Sequence, residues 1–100
     1  EAFIFSKYHK INQNKLYDVI KNGAAGSWQF SNRYMTLIKN KFNFGFSTEL
    51  MEKDLRYVLK QSKKSKINLK LTKEVHQKYK KLINTKYRIQ DTSSLVKTFI

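Results

Sequence analysis

No proline interrupts this chain of 100 residues, and its only glycines are Gly23, Gly26 and Gly45. Those two residue types are the usual punctuation between elements. Breaks are therefore confined to the Asn22–Gly26 stretch and the Asn43–Gly45 region. No repeat, low-complexity segment or interdomain linker is visible, so one mainly helical domain is expected. The chain starts at Glu1 and ends on the apolar pair Phe99-Ile100, so it is expected to be a piece excised from a longer protein.

Apolar periodicity predicts a first helix over 14–22, with Leu16, Val19 and Ile20 as its stripe and Gly23 just past its end. A second starts near Ser27 or Ser31 and ends near Phe42. The third is the best formed. Ser47 or Thr48 caps it, Glu49 and Glu52 suit its positive end, and Leu50, Met51, Leu55, Val58 and Leu59 share one side. Asp54 interrupts that side and is expected to be a partly exposed acid paired with a lysine.

Residues 66–71 alternate apolar and polar, the period of a half-exposed strand. Tyr87-Arg88-Ile89 could pair with them, and Ala2–Phe5 reads as a short strand. Thr72 caps a fourth helix, Lys73 to Ile83, and Leu95, Val96, Phe99 and Ile100 dock at helical spacing.

Composition narrows the chemistry. Cysteine is absent, and His9 and His76 are isolated, so disulfides, thiol nucleophiles and histidine-rich metal sites are excluded. No apolar run approaches the ~20 residues of a membrane span. There is no glycine-rich phosphate loop and no Ser/His/Asp grouping, and acids cluster only as Glu49, Glu52 and Asp54. The domain is therefore expected not to be an enzyme, with no catalytic or metal-binding residues, no cofactor and no small-molecule substrate.

Charge points to a partner. The chain carries 21 Lys+Arg against 7 Asp+Glu, a net +14. Twelve of the cations lie between Arg56 and Arg88, beside the single acid Glu74. Such one-sided excess is the footprint of a phosphate-binding face. Lysine outnumbers arginine, which favours backbone contacts over bidentate base reading.

Two segments resemble nucleic-acid-binding families. Phe30-x-Asn32-Arg33-x-Met35 is similar to the recognition helix of homeodomains. That resemblance implies that Asn32 contacts an adenine edge and Arg33 a phosphate. The stretch from Leu37–Phe42 through Leu55–Lys64, followed by the alternating segment, resembles winged-helix domains of the linker-histone type. It implies that Lys53, Arg56, Lys60, Lys63 and Lys64 face DNA, with Lys66 and Lys70 on the wing.

The expected fold is mainly α (α+β): a helix-turn-helix or winged-helix three-helix core, a small β element and an extra C-terminal helix. The expected function is double-stranded DNA binding within a larger nuclear chromatin or DNA-processing protein. Arg56, Lys60, Lys63, Lys64 and Lys66 are the foremost phosphate contacts. Two alternatives stand beside it: RNA or single-stranded binding on Phe44, Phe46 and Tyr57, or docking on an acidic protein in a multi-subunit assembly.

Overall fold

The computed structural model describes Glu1–Ile100. It is mainly helical: α1 Ala2–Tyr8, α2 Gln13–Lys21, α3 Trp28–Ile38, α4 Thr48–Lys64, α5 Lys70–Leu82 and a 3-10 helix, Thr92–Thr98. The β content is one isolated bridge, Ser47 to Asp91. The chain forms two compact units, Glu1–Lys41 with Phe99, and Phe42–Thr98 with Ile100. No helix is long and apolar enough to cross a membrane.

In the first unit, α2 begins where Asn12 accepts a hydrogen bond from the Lys15 amide at 3.0 Å. Ser27 caps α3 in the same way, accepting from the Phe30 amide at 3.0 Å. Both caps satisfy amides that have no partner within the helix. The connection between these helices needs glycine at position 26. A Cβ there would lie 2.5 Å from the Lys21 carbonyl oxygen.

Rings fill the interior of this unit. Tyr17, Phe30 and Tyr34 stack, with Phe30 and Tyr34 centroids 4.6 Å apart, and Phe3 meets the Tyr34 ring edge-on at 6.2 Å. Such packing adds to area burial when the rings are offset or perpendicular. Gln13 serves the polar ends: its Oε1 accepts from the Tyr34 hydroxyl at 2.6 Å, and its Nε2 donates to the Ile11 carbonyl at 2.8 Å.

The second unit packs α4 and α5 together, with the 3-10 helix against both. Phe42, Tyr79, Leu82 and Val96 are its buried hydrophobics. Beside them lie buried hydroxyls and a carboxylate: Thr48, Ser62, Asp91, Thr92 and Ser94. Burying such groups is costly unless they are hydrogen-bonded. Thr48 Oγ1 lies 3.1 Å from Ser94 Oγ, and the Tyr79 hydroxyl donates to the Thr92 carbonyl. Burial pushes the Tyr79 phenol up to about 12, partly opposed by the Thr92 side chain. The first amides of α4 are also satisfied at long range, Thr48 N–H donating to the Gln90 carbonyl and Glu49 N–H to that of Arg88.

The helix predicted over 14–22 is α2, the second is α3, and the third is α4 with Ser47 as its cap. The 3-10 helix Thr92–Thr98 covers much of the predicted C-terminal docking segment. Ala2–Phe5 is helical, because it opens a helix of about two turns, Ala2–Tyr8, and meets no strand.

The winged-helix expectation fails at 66–71. Lys66 adopts a left-handed φ of 56° and closes α4. Its amide donates to the Lys63 carbonyl, and the Ile67 amide reaches back to Ser62. That is a Schellman closure, as also at Lys10 and Asn40. Lys70 already begins α5, so no wing strand exists, and 87–89 is turn. Lys66 and Lys70 therefore belong to a helix end and a helix start.

Candidate functional site

Helices α4 and α5, joined by Ser65–Leu69, leave an open groove of about 670 Å³. Arg56, Lys60 and Lys63 line it from α4, and Lys73, Gln77 and Lys80 from α5. At spacings of four, three and seven residues, these side chains recur on one helical face. His76 Nε2 lies 2.8 Å from Glu52 Oε1, and both side chains are largely buried. Arg56 Nε approaches the same carboxylate oxygen at 3.4 Å, and its guanidinium sits 5.4 Å from the Tyr57 ring centroid. The groove thus combines five permanent cations with one nearby carboxylate.

Of the nine residues nominated from sequence, only Arg56, Lys60 and Lys63 meet in this groove. Lys64 is exposed in the last turn of α4, and Lys53 pairs with Asp54 at 3.3 Å. Asp54 is the half-exposed, lysine-paired acid expected for it. In the first unit, Asn32 Nδ2 donates to the Trp28 carbonyl of its own helix at 2.9 Å. Arg33 lies over the Trp28 ring at 5.0 Å. Both homeodomain-like side chains are thus engaged within α3. The aromatics Phe44, Phe46 and Tyr57 are all partly exposed, whereas Phe42 beside them in sequence is buried.

Sequence reading did not connect Lys73, His76, Gln77 and Lys80 to Arg56, Lys60 and Lys63. The signal available was a shared three-to-four-residue spacing on two consecutive helices. Expecting a strand at 66–71 separated the two helices and hid that they pack side by side.

Known proteins show which lineage this fold belongs to. The chain is 35% identical over 96 residues to an uncharacterised oxidoreductase of Shewanella frigidimarina, spanning 96% of this chain and 33% of that protein. It is 29% identical over 99 residues to L-threonate dehydrogenase of Cupriavidus necator, again 33% of that protein. A crystal structure of 3-hydroxyisobutyrate dehydrogenase from Salmonella typhimurium superposes with a TM-score of 0.87. It has 24% identity over 96% of this chain and 34% of its own. The chain therefore spans about a third of the length of these relatives.

These findings overturn the DNA-binding reading and its RNA and acidic-protein alternatives. The winged-helix and homeodomain resemblances rested on short patterns, whereas the dehydrogenase similarity runs the length of the chain. The expectations of a non-enzyme and of no small-molecule substrate fall with them, since the named relatives are dehydrogenases. The nuclear placement followed only from DNA binding, and the matched relatives are bacterial. Net positive charge is compatible with anions of any size, so it does not single out nucleic acid. The family model described as NAD-binding of NADP-dependent 3-hydroxyisobutyrate dehydrogenase matches residues 1–99, and the chain belongs to that family.

Proposed function

We propose that this chain is the helical module of an NAD(P)-dependent dehydrogenase that oxidises a short hydroxy acid. The observation that carries this reading is the family match over residues 1–99. The substrate class follows from relatives named for L-threonate and 3-hydroxyisobutyrate, both small carboxylates bearing a hydroxyl. The reaction class is removal of a hydride and a proton from an alcohol carbon and its oxygen, with a nicotinamide as hydride acceptor.

A pyrophosphate cradle of the common type needs a strand, a glycine-rich turn and a helix start in succession. Gly23 and Gly26 lie between two helices, and Gly45 follows no strand. These residues do not fit the pyrophosphate of the cofactor. The module's role in this proposal is to supply a helical wall, with the phosphate cradle contributed elsewhere in a longer protein. In that arrangement residues 1–100 act as one module.

Titration calorimetry of the whole protein bearing this chain tests the reading. Saturable binding of NAD+ or NADP+, followed by tighter binding of a short hydroxy acid to the dinucleotide complex, is the expected result. No heat with either dinucleotide, from a protein that melts cooperatively, would overturn it.

A further inference from the structure

The basic groove between α4 and α5 has features that helix formation does not account for. Lys60 and Lys63 sit in the C-terminal half of α4, where the helix dipole favours cations. Lys73 sits at the opposite kind of position, just inside the start of α5. That helix has no acid in its first turn. A cation there is disfavoured by the dipole. Its placement adds to the positive field of the groove at a position that the helix dipole does not favour.

Compensating acids are also missing. Lys60, Lys63, Lys73 and Lys80 make no ion pair, although several acids lie on these two helices. Asp54 pairs with Lys53, Glu49 with Arg88, and Glu52 with His76 and Arg56. Glu74 is exposed and outside the groove lining. Four unpaired ammonium groups and one shared guanidinium thus face one concavity. Low-dielectric walls focus the field in such a concavity and raise the local concentration of anions.

The rails formed by Arg56–Lys63 and Lys73–Lys80 each span seven residues, about 10 Å of helix. A single phosphate could engage only part of either rail. A linear chain of two or three phosphates matches their length and offers oxygens to both sides. Gln77 and Asn68 also line the groove and can donate neutral hydrogen bonds to the same oxygens.

We propose that the α4–α5 groove is a binding site for a small linear oligophosphate, separate from the dinucleotide site, held by Arg56, Lys60, Lys63, Lys73 and Lys80. The proposal concerns a ligand of the folded protein and does not depend on which hydroxy acid is oxidised. The shared ligand chemistry is the oligophosphate chain, whether free or borne by a nucleoside.

The test is thermal unfolding of the whole protein with NADP+ at saturation, so that any dinucleotide site is filled. Inorganic tripolyphosphate and ATP are compared with sodium chloride at equal ionic strength. Tripolyphosphate is expected to raise the midpoint saturably, by roughly 5 °C at about a hundred times its Kd. The variant Lys60→Gln/Lys63→Gln/Lys73→Gln should bind about tenfold more weakly or worse. All three residues are exposed, so folding is preserved. A charge-matched control, Lys64→Gln/Lys81→Gln/Lys86→Gln, removes three cations outside the groove lining and should bind like the parent.

ATP and tripolyphosphate both binding, each lost in the groove variant, supports an oligophosphate site. Equal weakening in both variants would reduce the effect to net charge and overturn the proposal. So would a response no larger than that to chloride, or binding of ATP without binding of tripolyphosphate.

Discussion

The two compact units solve the same problem by opposite means. In Glu1–Lys41 the centre is a stack of rings, and Gln13 gathers the few polar ends. In Phe42–Thr98 the centre is partly polar. Thr48, Asp91, Thr92 and Ser94 are buried, and the first amides of α4 donate to carbonyls some forty residues away. A ring stack tolerates sliding, because its attraction is spread over many weak contacts. A buried polar network tolerates none, because each lost partner strands a group without water. The second unit should therefore be more specific in geometry, and it is also the one that presents the basic groove.

The largest expected effect strikes the ring stack. Tyr34→Ala should destabilise the first unit by about 3–5 kcal/mol, the range for emptying a buried aromatic site. Fluorescence of the single tryptophan, Trp28, during denaturant unfolding reports it. A loss below about 1 kcal/mol would show that the stack is not the core of that unit.

Next comes Asp91→Ala in the polar unit. The Asp91 carboxylate accepts from the Ser93 amide at 3.0 Å, immediately before and within the 3-10 helix. Its loss should cost about 2–3 kcal/mol. Hydrogen exchange at the Thr48 and Glu49 amides should accelerate in step, since their acceptors lie in the same segment. Unchanged exchange there would break the proposed link between the segment and the start of α4.

The third expectation concerns pH. Burial raises the Tyr79 phenol from 10.0 to about 12, so the folded state holds that proton more tightly than the unfolded chain. The associated stability is fully present below pH 10 and is lost as pH rises towards about 12. Its size is on the order of 2–3 kcal/mol. Tyr79→Phe should remove this contribution to the pH dependence, read as the difference between parent and variant unfolding across that window. Parallel curves would mean that the hydroxyl is solvated.

The smallest effect is a gain. Lys66 holds a left-handed φ of 56° at the close of α4, a conformation that glycine adopts without steric cost. Lys66→Gly should stabilise the second unit by about 0.5–1 kcal/mol, measured as a shift in denaturant midpoint. A clear destabilisation would show that the lysine side chain contributes more than its backbone strain costs.

These contrasts also explain what could be read from sequence. Helices α2, α3 and α4 were legible because local rules specify them: apolar spacing, Asn12, Ser27 and Ser47 at their starts, and few breakers. The Lys66–Leu71 segment was misread because alternation over six residues suits a strand as well as a helix boundary. The Schellman closure at Lys66 decided between them, and no glycine marked it. The Thr48–Ser94 contact joins residues 46 apart and has no local signature.

The candidate groove was half legible. Arg56, Lys60 and Lys63 were named, but their counterparts on α5 were not, because a strand was expected between two helices that in fact pack together. Function was the least legible part. A high positive charge is compatible with any phosphate-bearing partner, and the family likeness is spread along residues 1–99 without a short diagnostic motif.

The most direct measurement is hydride transfer by the whole protein bearing this chain, followed as near-ultraviolet absorbance of reduced nicotinamide. L-threonate and 3-hydroxyisobutyrate are supplied in turn with NAD+ or NADP+. The account predicts substrate-dependent absorbance with at least one hydroxy acid and one dinucleotide. No turnover with any short hydroxy acid, from a folded protein that binds neither dinucleotide, would contradict it.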